Sequence, residues 1–252
     1  MSGRRIPKTL TVVSSERLTP NMQRVTLTGA DLESLPEGSE GDYIKLLFAR
    51  EGQDKPLMRT YTIARHRAER HEIAVDFMLH GHEGMDGIAA PWSLKARSGD
   101  VISIFGPGPG KVINPDADWF LLGADMTALP ALSANLKTLP ADARGRAFIE
   151  ICADGDRQVL EKPAQIAVHW VINPEPGSAM SPLFAAIEQA DWHDGQPAAW
   201  VACEFKTMKK IRQYLKQDRQ LAASHLYTSS YWKKGISEDE HKLVKRQDAE
   251  RA

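Results

Sequence analysis

The segment Arg59-Thr60-Tyr61-Thr62-Ile63 sets a fixed cation, an aromatic ring and a hydroxyl within four positions. Read as one extended strand, it sends Arg59 and Tyr61 to one face and Thr60 and Thr62 to the other. A guanidinium is a planar fork of donors that suits a phosphate pair. A tyrosine ring beside it can lie against a flat aromatic ligand. The hydroxyl of Thr62 can donate to or accept from a ring nitrogen where the strand's end turns it inward. A ligand joining a pyrophosphate to a flat heteroaromatic ring would engage all three. Alone, the segment is weak and reads first as an ordinary barrel strand with an exposed arginine.

Further blocks follow in order. Asp76-Phe77-Met78-Leu79-His80-Gly81 is succeeded by Gly87-Ile88-Ala89-Ala90-Pro91-Trp92, by Gly99-Asp100 and by Gly106-Pro107-Gly108-Pro109-Gly110. Then come Phe120-Leu121-Leu122-Gly123-Ala124-Asp125-Met126-Thr127-Ala128-Leu129-Pro130-Ala131, Trp200-Val201-Ala202-Cys203-Glu204 and Tyr227-Thr228-Ser229-Ser230-Tyr231-Trp232-Lys233-Lys234-Gly235. This ordered set resembles the siderophore-interacting protein family, flavin-dependent ferric-siderophore reductases related to the ferredoxin reductases. The resemblance covers nearly the whole chain.

The resemblance implies FAD as cofactor. Arg59 would pair with its phosphate, Tyr61 would lie along the flavin, and Thr62 would approach the reactive ring nitrogen. Asp76 and Phe77 would follow the isoalloxazine edge, largely through main chain. His80, Gly81, Ala89, Ala90 and Trp92 would sit by the diphosphate, and Asp125, Thr127 and Ala128 would approach the flavin from a second domain. Lys45, Lys111 and Lys233 are far apart in sequence, and only the resemblance brings them together, at the flavin's exposed edge around an anionic ferric siderophore. No side chain is expected to act as acid, base or nucleophile, because the cofactor carries the redox chemistry. The expected electron donor is NADH, NADPH or reduced ferredoxin.

Two departures from the family wording stand out. Ala90-Pro91 replaces the common Ser or Thr followed by Arg, so one phosphate contact is expected to be missing. Cys203-Glu204 stands where Gly-Glu is usual, and the larger side chain would narrow the donor's path. The residues also admit plainer readings. His80 fits a strand-end histidine, Asp125 a helix cap and each lysine a solvated surface charge. His80 and His82 could share a strand face, but with no third ligand nearby a metal site is not expected. The expected function is FAD-dependent reduction of Fe(III)-siderophore to release Fe(II). Alternatives are a general NAD(P)H:flavin or ferredoxin-type reductase with another acceptor, and a non-reducing siderophore-binding iron-delivery protein.

Composition narrows the field. The chain has 252 residues, 42% of them hydrophobic, and a formal net charge of −1. That balance argues against a nucleic-acid binder, which is usually basic over a whole face. No apolar run approaches the ~18 residues needed to span a bilayer. The N-terminus is charged with no apolar stretch behind it, unlike a signal peptide. A cytoplasmic monomer is expected. The two cysteines, Cys152 and Cys203, make no C-x-x-C and read as small buried hydrophobes.

The elements that must position these residues fall into two classes. Residues 1–114 show short alternating strands at 10–13, 24–28, 42–48, 59–64, 72–79 and 101–105, divided by Gly, Pro and Asp turns. That pattern predicts a six-stranded Greek-key antiparallel β-barrel, with a short helix over 87–96 whose first turn accepts Pro91 and could face a phosphate. Residues 115–235 alternate apolar strands with helices and predict an α/β domain with a mostly parallel sheet, giving a ferredoxin-reductase-like pair. Within it, 206–218 reads as an amphipathic helix with Met208, Ile211 and Leu215 on one face. The Gly123-Ala124-Asp125-Met126-Thr127 turn is not G-x-G-x-x-G, so no dinucleotide fingerprint is read there. Residues 236–252 are highly charged and fit a solvated helix or a frayed tail.

Overall fold

The computed structural model describes residues 6–50, 52–80, 87–178 and 181–250. The chain divides into two compact units, Met1–Lys111 and Val112–Ala252.

The first unit holds β1 (Lys8–Thr19), β2 (Met22–Thr28), β3 (Tyr43–Arg50), β4 (Gln53–Arg67), β5 (Glu72–Met78), α1 (Ala89–Lys95) and β6 (Val101–Gly108). Its strands close into an antiparallel barrel in the order β1-β2-β5-β4-β3-β6, a Greek key as the turn spacing predicts. Strict alternation builds the interior. Ile44, Leu46 and Phe48 are buried, while Lys45 and Leu47 between them are only partly covered and Tyr43 before them is exposed. Leu10, Val12, Val25, Leu27, Ile63, Ile73, Val75, Ile102 and Ile104 complete the core. Each such burial contributes about 1.5–3 kcal/mol. β1 and β4 run to 12 and 15 residues, well past the apolar runs at their centres. Ladder pairs such as Glu16↔Arg24 and Arg67↔Glu72 extend them, and hydrophobic patterning does not register such pairs.

The second unit holds β7 (Trp119–Ala124), α2 (Leu129–Thr138), β8 (Gly145–Ile151), β9 (Ile166–Ile172), α3 (Pro182–Glu188), β10 (Pro197–Glu204), α4 (Phe205–Gln213), β11 (Leu226–Trp232) and α5 (Glu238–Ala249). Its five-stranded sheet runs β11-β10-β7-β8-β9, every pair parallel. All six residues of β7 and all eight of β10 are buried, as both faces of a central parallel strand require. Trp119, Leu121, Ala199 and Val201 meet α3 and α4 through Leu183, Ile187, Met208 and Ile211. The alternate residues Phe120, Leu122 and Ala124 are buried on the other face of β7, and α2 also packs on this strand. Past Gln213 the α4 turn widens into one π-helical turn, Tyr214–Asp218.

The charged C-terminal segment is a docked helix. Ser237 and Glu240 form a capping box at the start of α5. His241 is buried with Nε2 2.8 Å from Ser230 Oγ, and Lys245 donates to Ser229 Oγ at 2.7 Å. Burial lowers the pKa of both groups.

Candidate functional site

In the barrel, the arrangement begins where β4 and β5 part. Their ladder ends at Ile63↔Val75. β5 nevertheless continues on β2 to Met78↔Met22, and β4 continues on β3 through Tyr61↔Ile44 and Arg59↔Leu46. The wall therefore loses continuity beside Arg59, Tyr61 and the end of β5. Because β4 does not end at Thr62, that side chain is not turned by a strand terminus; it is buried opposite Tyr43, just before an irregularity between Ile63 and Arg65.

Aromatic rings floor this region. Tyr61, half-buried, lies 4.5 Å from Phe77, and Phe77 lies 5.7 Å from Trp92, which meets Phe48 at 5.8 Å. Phe77 is wholly buried and belongs to the barrel core. Trp92 packs on the core and holds α1 to the barrel. Asp76 is likewise spoken for. Arg24 donates to both its carboxylate oxygens at 2.7 Å, and that hydrogen bond raises the guanidinium pKa. Arg59 Nη1 donates to the Met58 carbonyl at 2.9 Å.

At the far end, His80 is exposed, and its ring Cε1 stands 3.6 Å from where a Cβ on Gly87 would lie. Ala89 and Ala90 are buried in the first turn of α1, and its N-cap, Ile88, contributes no side-chain bond. The helix is pinned from behind: Ser93 Oγ donates to the Ala90 carbonyl at 2.7 Å, and Ser15 Oγ to the Ser93 carbonyl at 2.7 Å. Gly81 and His82 lie outside the described residues. Lys45 points outward on β3, opposite Thr60 and Phe105. The Gly106–Gly110 loop lies tight on the start of that strand. A Cβ on Gly108 would run into the Tyr43 ring, and one on Gly110 into the Gly41 carbonyl. Gly110 N–H donates to Asp42 Oδ1 at 2.8 Å, so the loop leading to exposed Lys111 is anchored.

In the second unit, Asp125 organises the turn between β7 and α2. Its Oδ1 accepts from Thr127 N (2.9 Å), Thr127 Oγ1 (2.5 Å) and Ala128 N (3.3 Å), and its Oδ2 accepts from Trp232 Nε1 at 2.7 Å. Burial raises the carboxyl pKa, and the Thr127 and Trp232 hydrogen bonds oppose the shift. Ala128 is fully buried and Thr127 half-buried. Trp232 thus fastens the end of β11, and Lys233 after it, to this turn. The Lys233 ammonium lies 5.0 Å from the Phe205 ring centroid. Glu204 caps α4 by accepting from Lys206 N (2.6 Å) and Thr207 N (3.1 Å). Glu150 is buried at the carboxyl end of β8, and burial, then the charge of Asp125, raises it to about 7. Burial pushes the Cys152 thiol up to about 11 and raises the Cys203 thiol well above its ordinary value, so neither is a thiolate at neutral pH. Among the described residues no group of three or more His, Cys, Asp or Glu could hold a metal ion.

Arg24, Trp232, Glu204 and Phe205 were given no site role from the sequence. Glu204 carried a signal, since an acidic residue just before an amphipathic run marks an N-cap. Arg24–Asp76 and Trp232–Asp125 span 52 and 107 residues, and no local pattern reports them.

The barrel fits a flavin on its own geometry: an interrupted wall, an aromatic floor, a cation on β4 and an uncapped helix start. A barrel of this kind followed by a parallel sheet is the ferredoxin-reductase-like fold. A ferredoxin-NADP+ reductase from Plasmodium falciparum, 12% identical, superposes with a TM-score of 0.66 over 89% of this chain and 96% of its own, a likeness of fold alone. The family model for the siderophore-interacting FAD-binding domain matches residues 11–57 and 49–111, and that for the siderophore-interacting protein matches 117–235. The chain belongs to the siderophore-interacting protein family. It is 34% identical over 253 aligned positions to ferric vibriobactin reductase ViuB of Vibrio cholerae, covering 92% of both chains. The crystal structure of the siderophore-interacting protein SipS from Aeromonas hydrophila, 28% identical, superposes with a TM-score of 0.85 over 98% of this chain and 99% of that one.

Proposed function

We propose that this protein is an oxidoreductase that uses FAD to reduce the Fe(III) of a ferric siderophore and so release Fe(II). The observation that carries the reading is the break in the barrel wall beside Arg59 and Tyr61, in a chain whose two parts match both models of one family. When bound, the flavin supplies the redox chemistry, accepting an electron pair from a donor and passing electrons singly to iron. The chain's own residues bind and orient. In this reading Arg59 holds the phosphate, Tyr61 and Thr62 line the ring, and the main chain of Asp76 and Phe77 borders it. His80, Gly81, Ala89, Ala90 and Trp92 belong to the diphosphate end, and Asp125, Thr127 and Ala128 form the second unit's contribution. Lys45, Lys111 and Lys233 hold an anionic siderophore. An oxygen-rich anionic chelator binds Fe(II) far more weakly than Fe(III), so electron transfer alone frees the metal.

For the donor we favour a nicotinamide dinucleotide over reduced ferredoxin. An open parallel sheet takes such ligands at its carboxyl ends, where Asp125 and Cys203 lie. Glu204 occupies N–H groups of α4, so that helix start is not the phosphate site. A monomer acting in the cytoplasm completes the reading. No helix among the described residues is long and apolar enough to cross a membrane.

The test is spectroscopic. Purified protein loaded with FAD under anaerobic conditions should bleach on adding NADH, NADPH or reduced ferredoxin and regain its colour with a ferric siderophore, while a ferrous-specific chelator colours in step. Bleaching without re-oxidation by ferric siderophore assigns a reductase with another acceptor. A colourless protein that takes up no FAD but binds siderophore assigns a carrier.

A further inference from the structure

A groove of about 450 Å³ runs between α4 and α5. Phe205, Lys209, Arg212 and Lys216 line it from α4 and its π-helical continuation, and Val244 and Asp248 from α5. Residues 205–217 carry Lys206, Lys209, Lys210, Arg212 and Lys216 and no acid, in a chain whose formal net charge is −1. This stretch is locally basic. Among the described residues, Asp248 is the one carboxylate lining the groove. Arg212 donates to both its oxygens, at 2.8 and 2.9 Å, and Lys209 Nζ stands 3.6 Å away. These cations lower the Asp248 pKa, the Arg212 hydrogen bond most, so it is an anion at any working pH.

Phe205 joins this groove to Lys233. The Lys209 ammonium lies 5.7 Å from the Phe205 ring centroid, and that of Lys233 lies 5.0 Å from the same centroid. Two cations held on one ring form a single anion-attracting patch. A multiply charged chelate seated against Lys233 would feel Lys209 as well at low salt, where the Debye length of about 30 Å at 0.01 M exceeds any separation that sharing one ring permits.

We propose that Lys209 is a specificity-determining residue for anionic ferric chelates, and that Asp248 is a built-in anion that competes with the substrate for its charge. The proposal rests on the reductase reading above. It gives opposite signs for two neighbouring side chains. Removing the Lys209 charge weakens an anionic chelate, whereas removing the Asp248 charge strengthens it.

The experiment measures steady-state reduction by the FAD-loaded protein of two probes, the anionic ferric tris-complex of 2,3-dihydroxybenzoate and neutral ferric tris-acetohydroxamate. For Lys209→Gln we expect KM for the anionic probe to rise about three- to tenfold at low salt, with kcat within about twofold and the neutral probe unaffected. The difference should shrink in 0.5 M NaCl, a salt level chosen for roughly 4 Å screening. For Asp248→Asn we expect KM for the anionic probe to fall about two- to fivefold. His241 and Lys245 continue to hold α5 in that variant, and its circular dichroism should match the parent. Lys209→Gln stands as an independent arm, since its side chain is half exposed. An unchanged anionic-to-neutral ratio of kcat/KM in Lys209→Gln overturns the inference and leaves the reductase reading intact. A parent protein that binds FAD and reduces neither probe overturns both.

Discussion

The hydrogen bond from Trp232 to Asp125 makes a sharp demand on the structure. Asp125 is 3% exposed, and Oδ1 takes the donors from its own turn. Oδ2 accepts at 2.7 Å from an indole N–H that arrives 107 residues later in the chain. Trp232→Phe keeps an aromatic ring and removes that donor. A buried charged acceptor that loses its partner costs about 2 kcal/mol, against about 1 kcal/mol for an ordinary neutral bond. Losing the bond also removes one of the contacts that hold the Asp125 pKa down, so the carboxyl should take up a proton more readily. The assay is urea denaturation followed by circular dichroism, run as a double-mutant cycle with Asp125→Asn. An asparagine that keeps its carbonyl toward Thr127 and Ala128 turns its NH2 toward the indole, where the two donors oppose each other. In that background Trp232→Phe should cost nothing or stabilise, giving a coupling of about 2 kcal/mol. Additive losses, with a coupling under about 0.5 kcal/mol, would refute the reasoning and reduce Trp232 to ring packing.

Three further outcomes follow from other parts of the structure. Arg59→Ala should weaken FAD binding by about 1.5–3 kcal/mol, or 10- to 100-fold, if its guanidinium meets phosphate; isothermal titration of apoprotein checks this, and unchanged affinity removes Arg59 from the site. Arg24→Ala leaves the Asp76 carboxylate buried without its fork of donors and should cost about 3 kcal/mol, whereas Arg24→Met with Asp76→Leu should recover most of it; denaturation midpoints compare them, and equal losses would show the pair does not act as a unit. Glu150 titrates near 7 folded against 4.5 unfolded, so its stabilisation is complete below pH 4.5 and is lost as pH rises through 7. Glu150→Gln should flatten the stability profile across that window and stabilise the protein at pH 8 by up to about 3 kcal/mol; an unaltered slope would mean the carboxyl is ionised throughout.

Much of the architecture could be read from the chain alone, because it is written in local periods. Alternation at 24–28 and 42–48 is a property of neighbouring residues, and so is the apolar run of β7, the face of Met208, Ile211 and Leu215, and the Gly-Pro turns between strands. These settle which residues face a core before any partner is known, and hence a barrel followed by a parallel sheet. The candidate site was legible as a set of residue types in order, from Arg59 and Tyr61 to Lys233. What those side chains are free to do was settled only by contacts across the fold. Asp76 is a free carboxylate in the sequence and a closed ion pair in the structure, because β2 lays Arg24 beside it. Phe77 is also part of the barrel core and Trp92 packs against it, because α1 folds back on the barrel. The charged tail is a docked helix, because Ser229 and Ser230 offer His241 and Lys245 buried partners. The end of the β4–β5 ladder at Val75 has no signature in either strand. Local pattern determines what a residue can offer, and the distant segment packed against it decides whether that offer is already taken.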